Sequence, residues 1–427
     1  MIDEMKPRIQ NSELITHSLE LETFLLGAQN ADGGWGYQPD AASATEPTSW
    51  ALLALCAGIR TSEFGFRDTN TQPPIPIAAL ATLPQSAIDN RQSAITHALS
   101  AGKRWLHVAQ LPDGSWPAFV GQRPGCWVTA AACLALHRCG GAASGGWVAF
   151  GLQQRNSSLV RSCEEISALR PDVRKGSPFP YTGPHTEAFG LGRLPESRRL
   201  SASRRRGTAQ PQWLRTAIFP RLLTGHSSLQ DPVALGLRWL CRTWPADGNV
   251  WFRFRQRLRK QASVIRQDSS LSGWSWTPGT ASWVEPTAHA LIALRCIPAE
   301  LHPPGASKRR RLGERMLYDR MCPGGGWNSG NPLVYGVAGE PRVGPTAWAL
   351  LALHDYRDRP ENRESLDWLE RVYPQIRGPA SLAVAHLCLE AYERPLPPLE
   401  PALSELWANN QFFRNVLVTA WAVMALS

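Results

Sequence analysis

"TSWALLAL", Thr48 to Leu55, opens on a hydroxyl and is then apolar or small at almost every position, with alanines at Ala51 and Ala54. The same frame, Thr-x-x-Ala-x-x-Ala-Leu, returns as "TAAACLAL" from Thr129, "TAHALIAL" from Thr287 and "TAWALLAL" from Thr346. "TAWAVMAL" from Thr419 repeats it with Val at the fifth position, and "SLAVAHLC" from Ser381 is a worn copy. Spacing of i, i+3, i+4, i+7 marks one helical face, and the remaining positions are apolar as well, which predicts helices buried all round. Six such helices are implied, and internal repetition on this scale sets the architecture.

Ahead of several frames lies an amphipathic, charged stretch such as "RQSAITHALSAGKRWLHVAQ", Arg91 to Gln110, followed by a tight turn, "NADGGW", "LPDGSW" or "CPGGGW". Asp-Gly and Gly-Gly supply the positive φ of such a turn, and the Trp after it can fold back over the hairpin. The unit is therefore a helical hairpin with one buried and one half-exposed helix. About six copies predict an all-α fold of two concentric layers closed into a ring, an α/α toroid, because an open array would leave its end faces unburied. Residues 1–139 and 232–427 hold the hairpins, and the inner helices would surround a central cavity. Between them, 140–231 contains "SPFPYTGPHTEAFGLGRLPESRRLSASRRRGTAQPQ", rich in Pro, Gly, Ser and Arg. Such a composition cannot bury enough apolar surface to offset ordering entropy, so the segment reads as a poorly ordered insertion or as the corrupted remains of a hairpin.

The frame aromatic-Leu-x3-Gln-x3-Gly-x-Trp occurs as Phe24, Leu25, Gln29, Gly33, Trp35 and as Trp105, Leu106, Gln110, Gly114, Trp116. A third copy ends in Gly325 and Trp327 with Met321 in place of Gln; a fourth starts at Trp239 and Leu240 and keeps Gly248, with Trp244 in place of Gln. This pattern resembles the QW motif of squalene-hopene cyclases and related triterpene cyclases, over roughly residues 14–138 and 232–427. The resemblance implies the α/α toroid shared with protein prenyltransferase β subunits, and isoprenoid substrates. The hopene-type enzymes carry Asp-x-Asp-Asp-Thr at the start of an inner helix, where the middle Asp protonates a terminal alkene. No such motif occurs in this chain. Aligning the Thr that opens the helix places Glu46 and Glu285 at that acid's position, each followed by Pro, with Ala44 and Trp283 where the first Asp would stand.

At 427 residues and 43% hydrophobic content, the chain can build a sizeable core in one large or two ordinary domains. It has no run of 18 apolar residues and its opening residues have neither signal nor transit character, so a cytoplasmic location is expected. The nine cysteines lack the spacing of a disulfide framework or metal knuckle; Cys56, Cys133, Cys296 and Cys388 read as reduced packing residues. A net charge of +10 gathers in basic patches, yet no RNP, zinc-finger or helix-turn-helix signature accompanies them, so nucleic acid is not an expected partner.

Two readings of the junction glutamates stand side by side. Pro47 and Pro286 suit a first helical turn, where an acid complements the helix dipole. Alternatively, Glu46 and Glu285 are catalytic: protonated as a general acid, or ionised as a stabiliser of a carbocation or acceptor of its proton. The dipole favours the ionised form and an apolar cavity the protonated one, and the sequence leaves that choice open. Trp274, Trp276 and Trp283 cluster near Glu285, and with Trp50 and Trp348 they are candidates for binding substrate, since aromatic faces attract cations; each is equally explicable as core. His289 reads as a packed histidine.

"WFRFRQRLRK", Trp251 to Lys260, alternates apolar and basic residues. It reads as an amphipathic edge strand or solvated face, or as a hairpin in which Arg253, Arg255, Arg257, Arg259 and Lys260 meet anionic lipid or a diphosphate. Asp319, Cys322 and His386 stand loosely in the order of a prenyltransferase zinc site, with the first two too widely spaced. The favoured expectation is carbocation chemistry on a long isoprenoid, with no cofactor and no metal. The alternatives are a non-catalytic toroid binding a lipid or protein, and a zinc-dependent prenyltransferase-like enzyme.

Overall fold

A computed structural model describes residues 11–63, 85–140, 231–248, 254, 267–268 and 270–427. They belong to one unit drawn from both sides of residues 158–229. The expected insertion, 140–231, lies outside the described residues except at its two ends.

The fold is all-α. Its helices are α1 (Asn11–Gly27), α2 (Thr45–Glu63), α3 (Gln85–Ala109), α4 (Thr129–Gly140), α5 (Pro232–Arg242), α6 (Val284–Cys296), α7 (Ala306–Asp319), α8 (Val343–Ala352), α9 (Pro360–Val372), α10 (Pro379–Ala391), α11 (Glu400–Asn410) and α12 (Val416–Leu426). One short antiparallel hairpin, β1 (Leu333–Val334) with β2 (Val337–Ala338), precedes α8.

The frame falls on every even-numbered helix. In α4 each residue from Thr129 to Leu136 is buried, and in α8 each from Pro345 to Ala352. The odd-numbered helices bury a single stripe: Val233, Gly236, Leu237 and Leu240 in α5, and Asn362, Ser365, Leu366 and Leu369 in α9. That i, i+3, i+4, i+7 spacing separates a helix with one neighbouring layer from one enclosed on all sides. Among the frame helices α2 packs on α4, α4 on α6, α6 on α8, α8 on α10, α10 on α12, and α12 on α2, so the order of neighbours returns to its start. Odd-numbered helices lie against them: α3 on α2 and α4, α5 on α4, α7 on α6, α9 on α8 and α10, α1 on α12.

A repeated set of hydrogen bonds explains why the sequence needs Thr, Trp, Leu and Gln at fixed places. The indole Nε1 of Trp35 donates to Leu25 O, Trp116 to Leu106 O and Trp327 to Leu317 O, at 2.6–2.7 Å, closing a carbonyl at the end of the preceding odd helix. The backbone N–H of each Trp is taken by the hydroxyl that opens the next frame helix, Thr48, Thr129 and Thr346, at 2.8, 3.0 and 2.9 Å. Gln29 Nε2 then donates to Gly33 O and across to Ala98 O in α3; Gln110 Nε2 donates to Gly114 O and to Pro232 O at the head of α5. Gly33 (φ +92°) and Gly114 (φ +90°) make these turns against the next odd helix, where a Cβ would lie 2.8 and 2.7 Å from the carbonyl oxygens of Ala101 and Leu235.

The two copies without Gln make the same crossing by other means. In the third, Gly326 N donates to Ser365 Oγ of α9 at 2.8 Å. In the fourth, the guanidinium of Arg309 in α7 donates to the carbonyls of Ser272 and Gly273 and lies 3.7 Å from the Trp274 ring centroid. Trp274 is the frame Trp of that copy: its Nε1 donates to Leu240 O at 2.9 Å and its backbone N–H to Thr287 Oγ1 at 2.8 Å. Residues intervening between Gly248 and Trp274 hide that relationship in the linear sequence.

Candidate functional site

The chain ahead of α2 and the chain ahead of α6 follow the same course. Asp40 (φ 64°) and Gly279 (φ 81°) take the same left-handed turn. Asp32 accepts from Ser43 Oγ at 2.7 Å, and Asp247 accepts from Ser282 Oγ at 2.9 Å. These bonds fix the last residues before each helix and deliver Glu46 and Glu285 to the first turn. Trp283 is the N-cap of α6 and makes no side-chain capping bond.

Glu46 is buried, and its Oε2 accepts from the Tyr37 hydroxyl at 2.5 Å. Burial pushes its carboxyl up to about 7; the Tyr37 hydrogen bond pulls the other way, and the charge of Glu285 adds to the rise. Loss of water thus outweighs a site at a helix N-terminus, which would favour the anion. Burial raises Glu285 as well. Tyr37 itself is held above its ordinary value by burial and by Glu46. Burial therefore raises both carboxyls, and Glu46 also feels the charge of Glu285.

One turn further along, on the same faces, stand Trp50 and His289, each at i+4 from its glutamate. Trp50, His289, Trp348 and Trp421 occupy the third position of their frames, and their rings meet: Trp50–His289 at 5.6 Å, His289–Trp348 at 4.6 Å, Trp50–Trp348 at 5.3 Å and Trp348–Trp421 at 5.7 Å between centroids. Trp127 stacks on His289 at 5.3 Å and 22°, and meets Trp276 edge-on at 4.7 Å. Six rings from α2, α6, α8, α12 and two connections form one continuous network. His289 is fully packed, and burial lowers its pKa to about 3, so the ring is neutral.

Of the aromatic residues singled out from sequence, Trp50, Trp276 and Trp348 lie in this network. Trp274 and Trp283 pair through their backbones beside it, Trp283 N donating to Trp274 O at 3.0 Å. Trp274 also lines a small pocket with Trp127, Trp239, Thr243, Pro245, Ser275 and Pro278, of ≈ 10 Å³, room for about one water. Sequence reading missed Tyr37, Trp127 and Trp421. Trp421 shares the frame position of Trp50, and Tyr37 stands two residues after its frame Trp as Trp276 does, so the repeat held a signal for both.

Of the residues that stand in the order of a zinc site, two have other partners. Asp319 is paired with Arg320, and His386 Nδ1 with the Tyr373 hydroxyl at 2.8 Å. Among the described residues no group of three His, Cys, Asp or Glu could hold a metal ion. Arg253, Arg255, Arg257, Arg259 and Lys260 lie outside the described residues. Among the described residues no helix is long and apolar enough to cross a membrane, and the cysteines described are free thiols.

No protein-family model matches the chain, and no curated protein does. Among solved structures it is similar to the type II terpene cyclase MstE from Scytonema in its apo form, with 14% identity over 97% of this chain and 98% of that one and a TM-score of 0.30. A variant of the same cyclase in complex with geranylgeranyl dihydroxybenzoate, its substrate, matches at 14% identity over 97% of each chain, again with a TM-score of 0.30.

Proposed function

We propose that the chain is a terpene-cyclase-like enzyme acting on a long isoprenoid by carbocation chemistry, with its even-numbered helices as the inner layer of an α/α toroid. The cyclic order of helix neighbours supports the toroid. The observation that carries the chemistry is Glu46: a buried carboxyl with a pKa near 7, one helical turn from a six-ring aromatic network. In the proposed step Glu46 gives its proton to a terminal alkene carbon, the π pair forms the new C–H bond, and the positive charge left on the neighbouring carbon is attacked by the next alkene. The network's π faces stabilise such a cation by roughly 0.5–2 kcal/mol each when desolvated. Proton loss to the Glu46 carboxylate that the first step leaves ends the sequence and balances it. Trp50, Trp276 and Trp348, with Trp274 and Trp283 beside them, form the binding wall in this reading. Because the rings touch, substrate enters by parting them.

Incubating the whole purified chain with squalene and with geranylgeranyl diphosphate, then analysing products by mass spectrometry, tests the reading. Turnover that disappears in Glu46→Gln supports it, and no turnover of any isoprenoid would sink it. A second reading, a toroid that binds isoprenoid without reacting, is favoured by Ala44 and Trp283 standing where a supporting acid would be; binding without product would select it. The basic run from Arg253 to Lys260 further suggests peripheral contact with anionic lipid, which low-salt liposome sedimentation tests.

A further inference from the structure

The aromatic network contains polar atoms that nothing in it satisfies. Among the described residues both ring nitrogens of His289 are buried without a partner, and so are the indole Nε1 atoms of Trp50 and Trp421. His289 is 4% exposed and Trp50 1%. The frame Trp residues outside the network show the contrast: Trp35, Trp116, Trp274 and Trp327 each place Nε1 on a carbonyl oxygen at 2.6–2.9 Å. A buried donor left unmade costs far more than a made one contributes, and protein interiors pair nearly all of theirs. Here three N–H donors and one ring-nitrogen acceptor collect in a single set of touching rings.

A hydrocarbon filling this network would leave all of them unpaired. A hydroxyl oxygen that accepts from the two indoles and donates to the unprotonated imidazole nitrogen would pair three of the four, and a carbonyl oxygen would pair two of the N–H donors. An anion is disfavoured, because no member of the network carries a positive charge to meet it. We infer that the network is a recognition site for a neutral oxygen function, a hydroxyl or carbonyl, borne by the isoprenoid, with Trp50, His289 and Trp421 as its hydrogen-bonding partners. This rests on the isoprenoid reading above and narrows it: the substrate is an oxygenated polyprenyl compound and not a pure hydrocarbon. A site built to hydrogen-bond an oxygen rejects the analogue lacking it, because its own buried groups are then left unpaired.

Geranylgeraniol and the hydrocarbon with methyl in place of its CH2OH are suitable probes, with affinity read from tryptophan fluorescence of the whole chain. The alcohol is expected to bind at least about tenfold more tightly than the hydrocarbon. The ratio should fall toward one in His289→Phe, which keeps an aromatic ring and removes both nitrogens. Indole N–H resonances of Trp50 and Trp421 in the unsubstituted, 15N-labelled chain should move downfield with the alcohol only, a readout that survives a variant that fails to fold. Equal affinities, a ratio unchanged in His289→Phe, or indole resonances indifferent to the hydroxyl would overturn the inference and leave the isoprenoid reading standing. Binding of neither probe would overturn both.

Discussion

The Tyr37 hydroxyl donates to Glu46 Oε2 at 2.5 Å, whereas the residue at the matching place before Glu285 is Trp276, which faces Trp127 instead. The two glutamates stand at equivalent points of the repeat and differ in this partner. The Tyr37 bond favours the Glu46 anion and holds its carboxyl below the value that burial alone would set. Tyr37→Phe is therefore expected to raise the Glu46 pKa above about 7. If Glu46 is the acid, the alkaline limb of the pH–rate profile moves to higher pH in Tyr37→Phe, with activity retained. An unmoved limb would show that this bond does not set the acid's pKa.

Glu46 and His289 give folding stability opposite dependences on pH. Glu46 ionises near 4.5 in an unfolded chain and near 7 when folded, so between those values the folded state holds an extra proton and stability falls as pH rises. His289 ionises near 6.5 unfolded and near 3 folded, so stability falls as pH drops through that range. Each slope is about 1.4 kcal/mol per pH unit. Thermal melts should show Glu46→Gln gaining on the unsubstituted chain as pH rises from 4.5 to 7, by about 3 kcal/mol in total. His289→Phe should gain instead as pH falls from 6.5. Differences that do not change with pH would contradict the assigned burial of both groups.

Arg309 replaces a glutamine that its copy of the turn lacks. Removing it in Arg309→Met leaves the carbonyls of Ser272 and Gly273 without their donors and takes the cation from the Trp274 face. Urea unfolding should show a loss of about 2–4 kcal/mol, comparable to that of Gln110→Leu or larger. A neutral result would mean that the crossing between turn and helix is not a source of stability there.

The frame made the six buried helices and their half-exposed partners legible, because burial on one side or on all sides writes itself into hydrophobic period. What the opening Thr does was not legible. Its hydroxyl bonds a Trp N–H 13 residues upstream in three copies and 19 upstream in the one that accommodates the β1–β2 hairpin, separations that carry no local signal. That Trp274 is the frame Trp of its copy was not legible either, because its distance from Gly248 hid its place in the repeat. The protonation of Glu46 was undecidable from sequence, since dipole and desolvation oppose each other and their balance depends on how deeply the carboxyl is buried. His289 read correctly as a packed histidine, but only the three-dimensional arrangement shows that its nitrogens are left without partners.

The proton that Glu46 is held to transfer can be followed directly. The whole chain, exchanged into D2O and given squalene, geranylgeranyl diphosphate or geranylgeraniol, should yield a cyclised product carrying deuterium at the carbon protonated first, as read by mass spectrometry and NMR. Glu46→Gln should yield none, while Glu285→Gln, which leaves the Glu46 proton in place, should still label that carbon. Cyclised product without deuterium at that carbon, or labelled product undiminished in Glu46→Gln, would contradict the assignment of Glu46 as the acid.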